Sequence, residues 1–162
     1  MLTFLGRSLG NVLGVRVSGE VMHADEERLL VKLERLLRED GKVHVLLELA
    51  AVQAWAADNG GPDLNRFSAH GGALGRCAIV EEGPGQEYLT RLTQPFRQVR
   101  RFRPAEVELA WQWVLEGVQE EVERRAYLKW EAAGKPPGDG TRFWLAAERE
   151  LLAANQAARN EG

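Results

Sequence analysis

Leu13, Val15 and Val17 alternate with Gly14, Arg16 and Ser18, the two-residue period of a strand with one face in a core. Gly19 ends that pattern, and the period then lengthens. Leu29, Leu30, Leu33, Leu36 and Leu37 recur at helical spacing behind Asp25, Glu26 and Glu27, whose charge suits the positive end of a helix dipole. His23 stands where a cap is expected, and Gly41 where such a helix stops. Val43 to Leu49 is nearly continuous in apolar residues, which predicts a strand covered on both faces. The run from Asp58 to Pro62 is a dense turn signal, and Pro62 is placed to open a helix reaching about Ala73. Cys77 to Val80 reads as a short buried strand, and Gly83-Pro84-Gly85 as a turn. Gln86 to Phe96 reads as a helix with Tyr88, Leu89, Leu92 and Phe96 on one side, and Val99 to Phe102 as a last strand. From Pro104 a long helix carries Val107, Trp111, Val114, Val118 and Val122.

Strands alternating with helices predict an α/β fold with a largely parallel sheet. Pairing of the two early strands as an antiparallel edge would make that sheet mixed. Near Gly117 the composition turns polar. The expected organisation is therefore a first domain over residues 1–117 and a helical extension over 118–162. Gly134 to Gly140, with Pro136 and Pro137, must break the helix. A second helix then follows from Thr141, read as its N-cap, making a hairpin. Tyr127, Trp130, Phe143 and Trp144 crowd this hairpin, which has little core of its own. Their rings call for cover from the main domain, from a second copy in a homodimer, or from a partner.

The order of Asn11-Val12-Leu13-Gly14-Val15-Arg16-Val17-Ser18-Gly19-Glu20, a leucine-rich helix and Val45-Leu46-Leu47-Glu48-Leu49 resembles the SpoIIAA-like family. Arg76-Cys77-Ala78-Ile79-Val80 is similar to that family's fourth strand. Val99-Arg100-Arg101-Phe102 followed by Ala110-Trp111-Gln112-Trp113-Val114 is similar to its closing strand and helix. The resemblance covers about residues 8–117. It implies a STAS-like α/β fold with a mixed sheet and about four helices, and a bacterial regulatory or ligand-holding module. Arg125-Ala126-Tyr127-Leu128-Lys129-Trp130-Glu131-Ala132-Ala133-Gly134, with Pro136 and then Phe143-Trp144-Leu145-Ala146-Ala147-Glu148, resembles a short bacterial domain of unknown function. Anti-sigma-factor antagonists of this fold carry a phosphorylatable serine at the start of the helix after the third strand. Here that stretch reads Ala57-Asp58-Asn59-Gly60-Gly61-Pro62-Asp63, with neither serine nor threonine. A phosphate switch would have to work through Ser68 or Thr90.

Composition narrows the function classes. The chain has 162 residues, 44% of them hydrophobic, enough for a core without metal or disulfide staples. A net charge of −3 gives no support to a surface built for nucleic-acid phosphates. Cys77 is the sole cysteine and sits in an apolar run, so it reads as a core thiol. No run of about 18 apolar residues predicts a transmembrane helix, and no signal-peptide pattern opens the chain, so the expected location is the cytoplasm.

Candidate chemistry is sparse. Gly6, Gly10 and Gly14 lack the spacing of a dinucleotide loop, and Gly83-Pro84-Gly85 lacks a phosphate-binding lysine. His70 and Cys77 have no matching second pair for a metal, and His44 reads as an ordinary, partly exposed strand histidine. No nucleophile stands beside a base. The reading is a non-catalytic module without cofactor, metal or catalytic residue. Its partner is a regulatory protein or a small apolar ligand; the alternative is a phospho-regulated, anti-sigma-factor-antagonist-like signalling protein. Arg97, Arg100, Arg101 and Arg103 read as guards of a strand edge. The expected recognition surface lies beyond the carboxyl end of the third strand: Trp55, Asp58, Asn59, and Arg66, Phe67 and His70 on the following helix.

Overall fold

The computed structural model describes residues 1–6, 11–55, 64, 66–67, 74–82, 87–138 and 140–160, with side chains omitted at 40, 53–55, 87, 88, 91 and 151–160. Five strands form one sheet: β1 (Leu2–Phe4), β2 (Val12–Val21), β3 (Val43–Trp55), β4 (Leu74–Val80) and β5 (Gln98–Phe102). Their spatial order is the chain order. β1 runs antiparallel to β2, whereas β2–β3, β3–β4 and β4–β5 are parallel. The sheet is thus mixed, but the two strands read as an early antiparallel pair lie parallel. The antiparallel edge belongs to β1. Three residues are too few to show a period, which is why the pattern of the sequence does not reveal that strand.

Two layers of helices cover the sheet. On one face α1 (His23–Asp40) and α2 (Glu87–Thr93) bury Leu29, Leu33, Leu36, Leu89 and Leu92 against Leu13, Val15, Val45, Leu47, Cys77 and Ile79. On the other, α3 (Val107–Ala132) lays Ala110, Trp111 and Val114 over Val12, Leu46, Ala78 and Val80. Each fully buried leucine contributes roughly 1.5–3 kcal/mol of transfer free energy, so both layers matter to stability. Burial on both faces explains the near-continuous apolar texture of β3. Gly14 answers a packing need: a Cβ there would lie 2.5 Å from Cη2 of Trp111.

The helix ends differ in detail from expectation. Met22, not His23, is the N-cap of α1, and its amide donates to the Asp25 carboxylate at 3.1 Å. His23 is the first helical residue, exposed beside Glu26 and Glu27. Gly41 closes the helix at φ 74°, a left-handed conformation that favours glycine. The arginines at 100 and 101 do lie on edge strand β5, where Arg101 pairs with Glu81 at 3.2 Å. Of the helix expected over 62–73, only 64, 66 and 67 are described, in a 3₁₀ conformation. The turn expected at 83–85 lies outside the described residues.

α3 runs unbroken through Gly117 and past the sheet. Its second half buries Val122 and Ala126 against Ala147 of α4 (Thr141–Asn160), with Phe143 and Trp144 packed alongside. α4 folds back along α3 and also reaches α1. The N-cap expected at Thr141 falls one residue earlier. The Phe143 and Trp144 amides donate to the carbonyl of Gly140, which has φ 74°.

Candidate functional site: an aromatic cleft in the helical hairpin

A concavity rich in aromatic side chains lies where α3 leaves the sheet and α4 returns. Gly134 and Lys135 end the hairpin's first arm with φ of 86° and 55°, and Gly138 and Gly140 open the second with φ of 133° and 74°. Trp130 fixes the loop, its indole Nε1 donating to the Pro136 carbonyl at 2.8 Å. On the next helix, Trp144 Nε1 donates to a Glu148 carboxylate oxygen at 3.1 Å. Both indoles therefore have their polar edges satisfied and their faces available for packing.

Tyr127, Trp130, Phe143 and Trp144 line a cleft of about 480 Å³ together with Ala126, Gly138, Gly140 and Thr141. The volume lies in the range of small-molecule sites. Tyr127 and Trp130 meet at 5.7 Å between ring centroids, tilted by 47°. Tyr127 keeps 54% of its surface exposed, a large value for an aromatic packed on another. The carboxylate of Glu123 is the charged group on the wall. Away from the cleft, Lys129 and Arg125 pair with Glu150, tying the two helices together.

A second, polar recess of about 210 Å³ lies at the amino ends of the parallel strands, lined by Lys42, His44, Gly75, Arg76, Arg97, Gln98 and Glu120. His44 is buried, with 3% of its surface exposed, and this overturns its reading as a partly exposed residue. Its ring lies between two glycines: a Cβ would come within 2.5 Å of it at Gly75 and 2.7 Å at Gly117. Nδ1 accepts the Arg76 amide at 2.9 Å, while Nε2 has no hydrogen-bond partner among the described residues. Burial, reinforced by Lys42 and Arg76 and opposed by Glu121, lowers the His44 pKa to about 4. Arg76 itself pairs with Glu116 and Glu120, both at 3.1 Å, and stacks over Trp113. Burial also pushes the Cys77 thiol well above its ordinary range, so it behaves as a small apolar side chain.

The residues expected to form a recognition surface are only partly described. Trp55 ends β3, while Asp58, Asn59 and His70 lie outside the described residues. Arg66 is exposed, faces Glu34 of α1 at 3.6 Å and stacks over Phe67 at 5.2 Å. Phe67 itself is buried in the core on the α1 side. Of the expected phosphate acceptors, Thr90 is exposed on α2 and Ser68 lies outside the described residues. Among the described residues no three His, Cys, Asp or Glu side chains come together as metal ligands, and no helix is long and apolar enough to cross a membrane. The sequence draws attention to the four hairpin aromatics. It does not reveal that they surround a space, nor that Glu123 faces it, because both depend on how α4 returns along α3.

A mixed five-stranded sheet covered by helices on both faces defines a STAS-like scaffold carrying a helical appendage. The chain belongs to the SpoIIAA-like family, whose model matches residues 12–115. Residues 118–153 match the model of the DUF2934 family, described as a protein of unknown function. The chain is also similar to the crystal structure of an uncharacterized DUF3478-family protein with a SpoIIAA-like fold from Shewanella loihica. That likeness has a TM-score of 0.53 and 22% identity, covering 70% of this chain and 93% of that one. It speaks for the fold. No curated protein matches the chain.

Proposed function

We propose that this chain is a non-catalytic binding module in which the STAS-like domain is the scaffold and the hairpin cleft holds a small ligand with an apolar body. The observation that carries this reading is the cleft of about 480 Å³ walled by four aromatic side chains, one of them more than half exposed. Large rings left open to water cost free energy unless something covers them. The SpoIIAA-like fold supports a regulatory or binding role in general. The non-catalytic reading is supported by the fate of two reactive side chain types. Cys77 is buried with its thiol neutral, and His44 is buried with Nδ1 already occupied.

Native mass spectrometry on protein purified gently from cells tests the reading. A retained small-molecule mass is expected, together with its loss in Tyr127→Ala. An identical retained mass in the variant would show that the ligand sits elsewhere, with the strand-end surface expected from the sequence around Trp55, Asp58, Asn59, Arg66 and His70 as the site to pursue.

A further inference from the structure

We propose that the ligand of the hairpin cleft is a small organic cation, an alkylated ammonium compound. This inference rests on the reading of the cleft as the binding site and adds the sign of the ligand's charge. The walls carry the rings of Tyr127, Trp130, Phe143 and Trp144, and among the described residues no lysine or arginine lines them. Aromatic faces carry negative potential and attract cations, most of all those whose alkyl groups reduce the cost of leaving water. Trp144 donates its indole N–H to the Glu148 carboxylate, and a hydrogen bond to an anion makes the indole face more negative. Glu123 supplies a full charge at the wall and has no ion-pair partner among the described residues.

Two features bear on the opposite sign. Arg142 stacks over Phe143 at 4.6 Å, but it lines the neighbouring groove with Pro136 and Pro137 rather than this cleft. The contact shows that a ring of this wall already accepts a guanidinium. The amino end of α4 adds a partial positive charge, which the carboxyl end of α3 beside it offsets. An anion would meet Glu123 and four electron-rich aromatic side chains, so the balance favours a cation. A free molecule fits better than a phospholipid head group, because the phosphate beside a choline head would be repelled by Glu123 on the wall.

The test titrates the full chain with choline and with dimethylbutanol, its neutral isostere in which carbon replaces nitrogen, following tryptophan fluorescence. Choline is expected to bind about fivefold or more tightly than the isostere, the ratio expected of one partly exposed cation–π site. Glu123→Gln and Tyr127→Leu are each expected to weaken choline by several-fold while leaving the circular dichroism and melting profile unchanged. Tyr127 is exposed, so its replacement does not threaten the fold. Equal binding of choline and isostere would overturn the cation inference and leave the cleft as an apolar site. No response to either would overturn both. Choline binding untouched by either substitution would place the cation elsewhere and overturn the inference. Sedimentation of the protein with phosphatidylcholine vesicles would overturn the assignment to a free molecule, and none is expected.

Discussion

Gly117 of α3 rests on the imidazole of His44 of β3 so closely that a Cβ at position 117 would come within 2.7 Å of the ring's Cε1. Exchanging a helical glycine for alanine normally gains about 1 kcal/mol. Here the ring cannot yield, because Gly75 holds its other side and the Arg76 amide holds Nδ1. Gly117→Ala is therefore expected to destabilise the protein by about 1–3 kcal/mol, the cost of overpacking. Urea unfolding of Gly117→Ala, His44→Ala and the double variant checks this. The double variant should be much less destabilised than the sum of the singles. Simple additivity would contradict the contact.

The same histidine predicts a pH dependence. Its folded-state pKa of about 4 lies below the ordinary histidine value of 6.5, so between these values the unfolded chain takes up the proton more readily. The contribution of the neutral ring is therefore fully present above pH 6.5 and lost as pH falls towards 4. The loss is of the order of 3 kcal/mol. Chemical unfolding at several pH values is expected to give a shallower decline in His44→Leu than in the parent chain. Parallel pH profiles would contradict the assignment.

Gly14 offers an independent probe of the opposite layer. Gly14→Ala places a methyl group 2.5 Å from Cη2 of Trp111, which is itself only 2% exposed. Thermal unfolding should show a loss of about 1–3 kcal/mol, with Trp111 emission moving to longer wavelength as the ring is displaced. An unchanged melting temperature would contradict this packing.

How much of this was legible beforehand depends on the range of the interaction that decides each feature. Alternation in Leu13, Val15 and Val17 and the leucine spacing of α1 are local signals, and both elements form where those signals fall. Gly14 reads in the sequence only as a glycine at an unhelpful spacing, because the reason for it, Trp111, lies far along the chain. His44 looks like any strand histidine until Gly75 and Gly117 are seen to make its slot. The N-terminus contributes a strand invisible in the pattern, since β1 is fixed by pairing Leu2 with Val17 and Phe4 with Val15. The hairpin rings were conspicuous, whereas their cleft depends on the path of α4 through glycines in left-handed conformations.

The hairpin is also expected to matter to the domain beneath it. Ending the chain at Gly117 removes Glu120, a partner of Arg76, the buried Glu121, and Val118, which packs against the apolar cluster between α3 and the sheet. The shortened chain should melt several degrees lower, or pair with a second copy that covers the exposed face. A monomer of unchanged stability, judged by calorimetry and light scattering, would show that the extension is dispensable to the scaffold.

The most direct measurement of the central claim is the indole N–H region of the NMR spectrum of the nitrogen-labelled full chain during a choline titration. Five tryptophans give five separate reporters. The account predicts that the Trp130 and Trp144 signals move with a common saturation curve while Trp111, buried between α3 and the sheet, stays fixed. Movement confined to Trp55, Trp111 or Trp113, with Trp130 and Trp144 silent, would contradict a binding site in the hairpin.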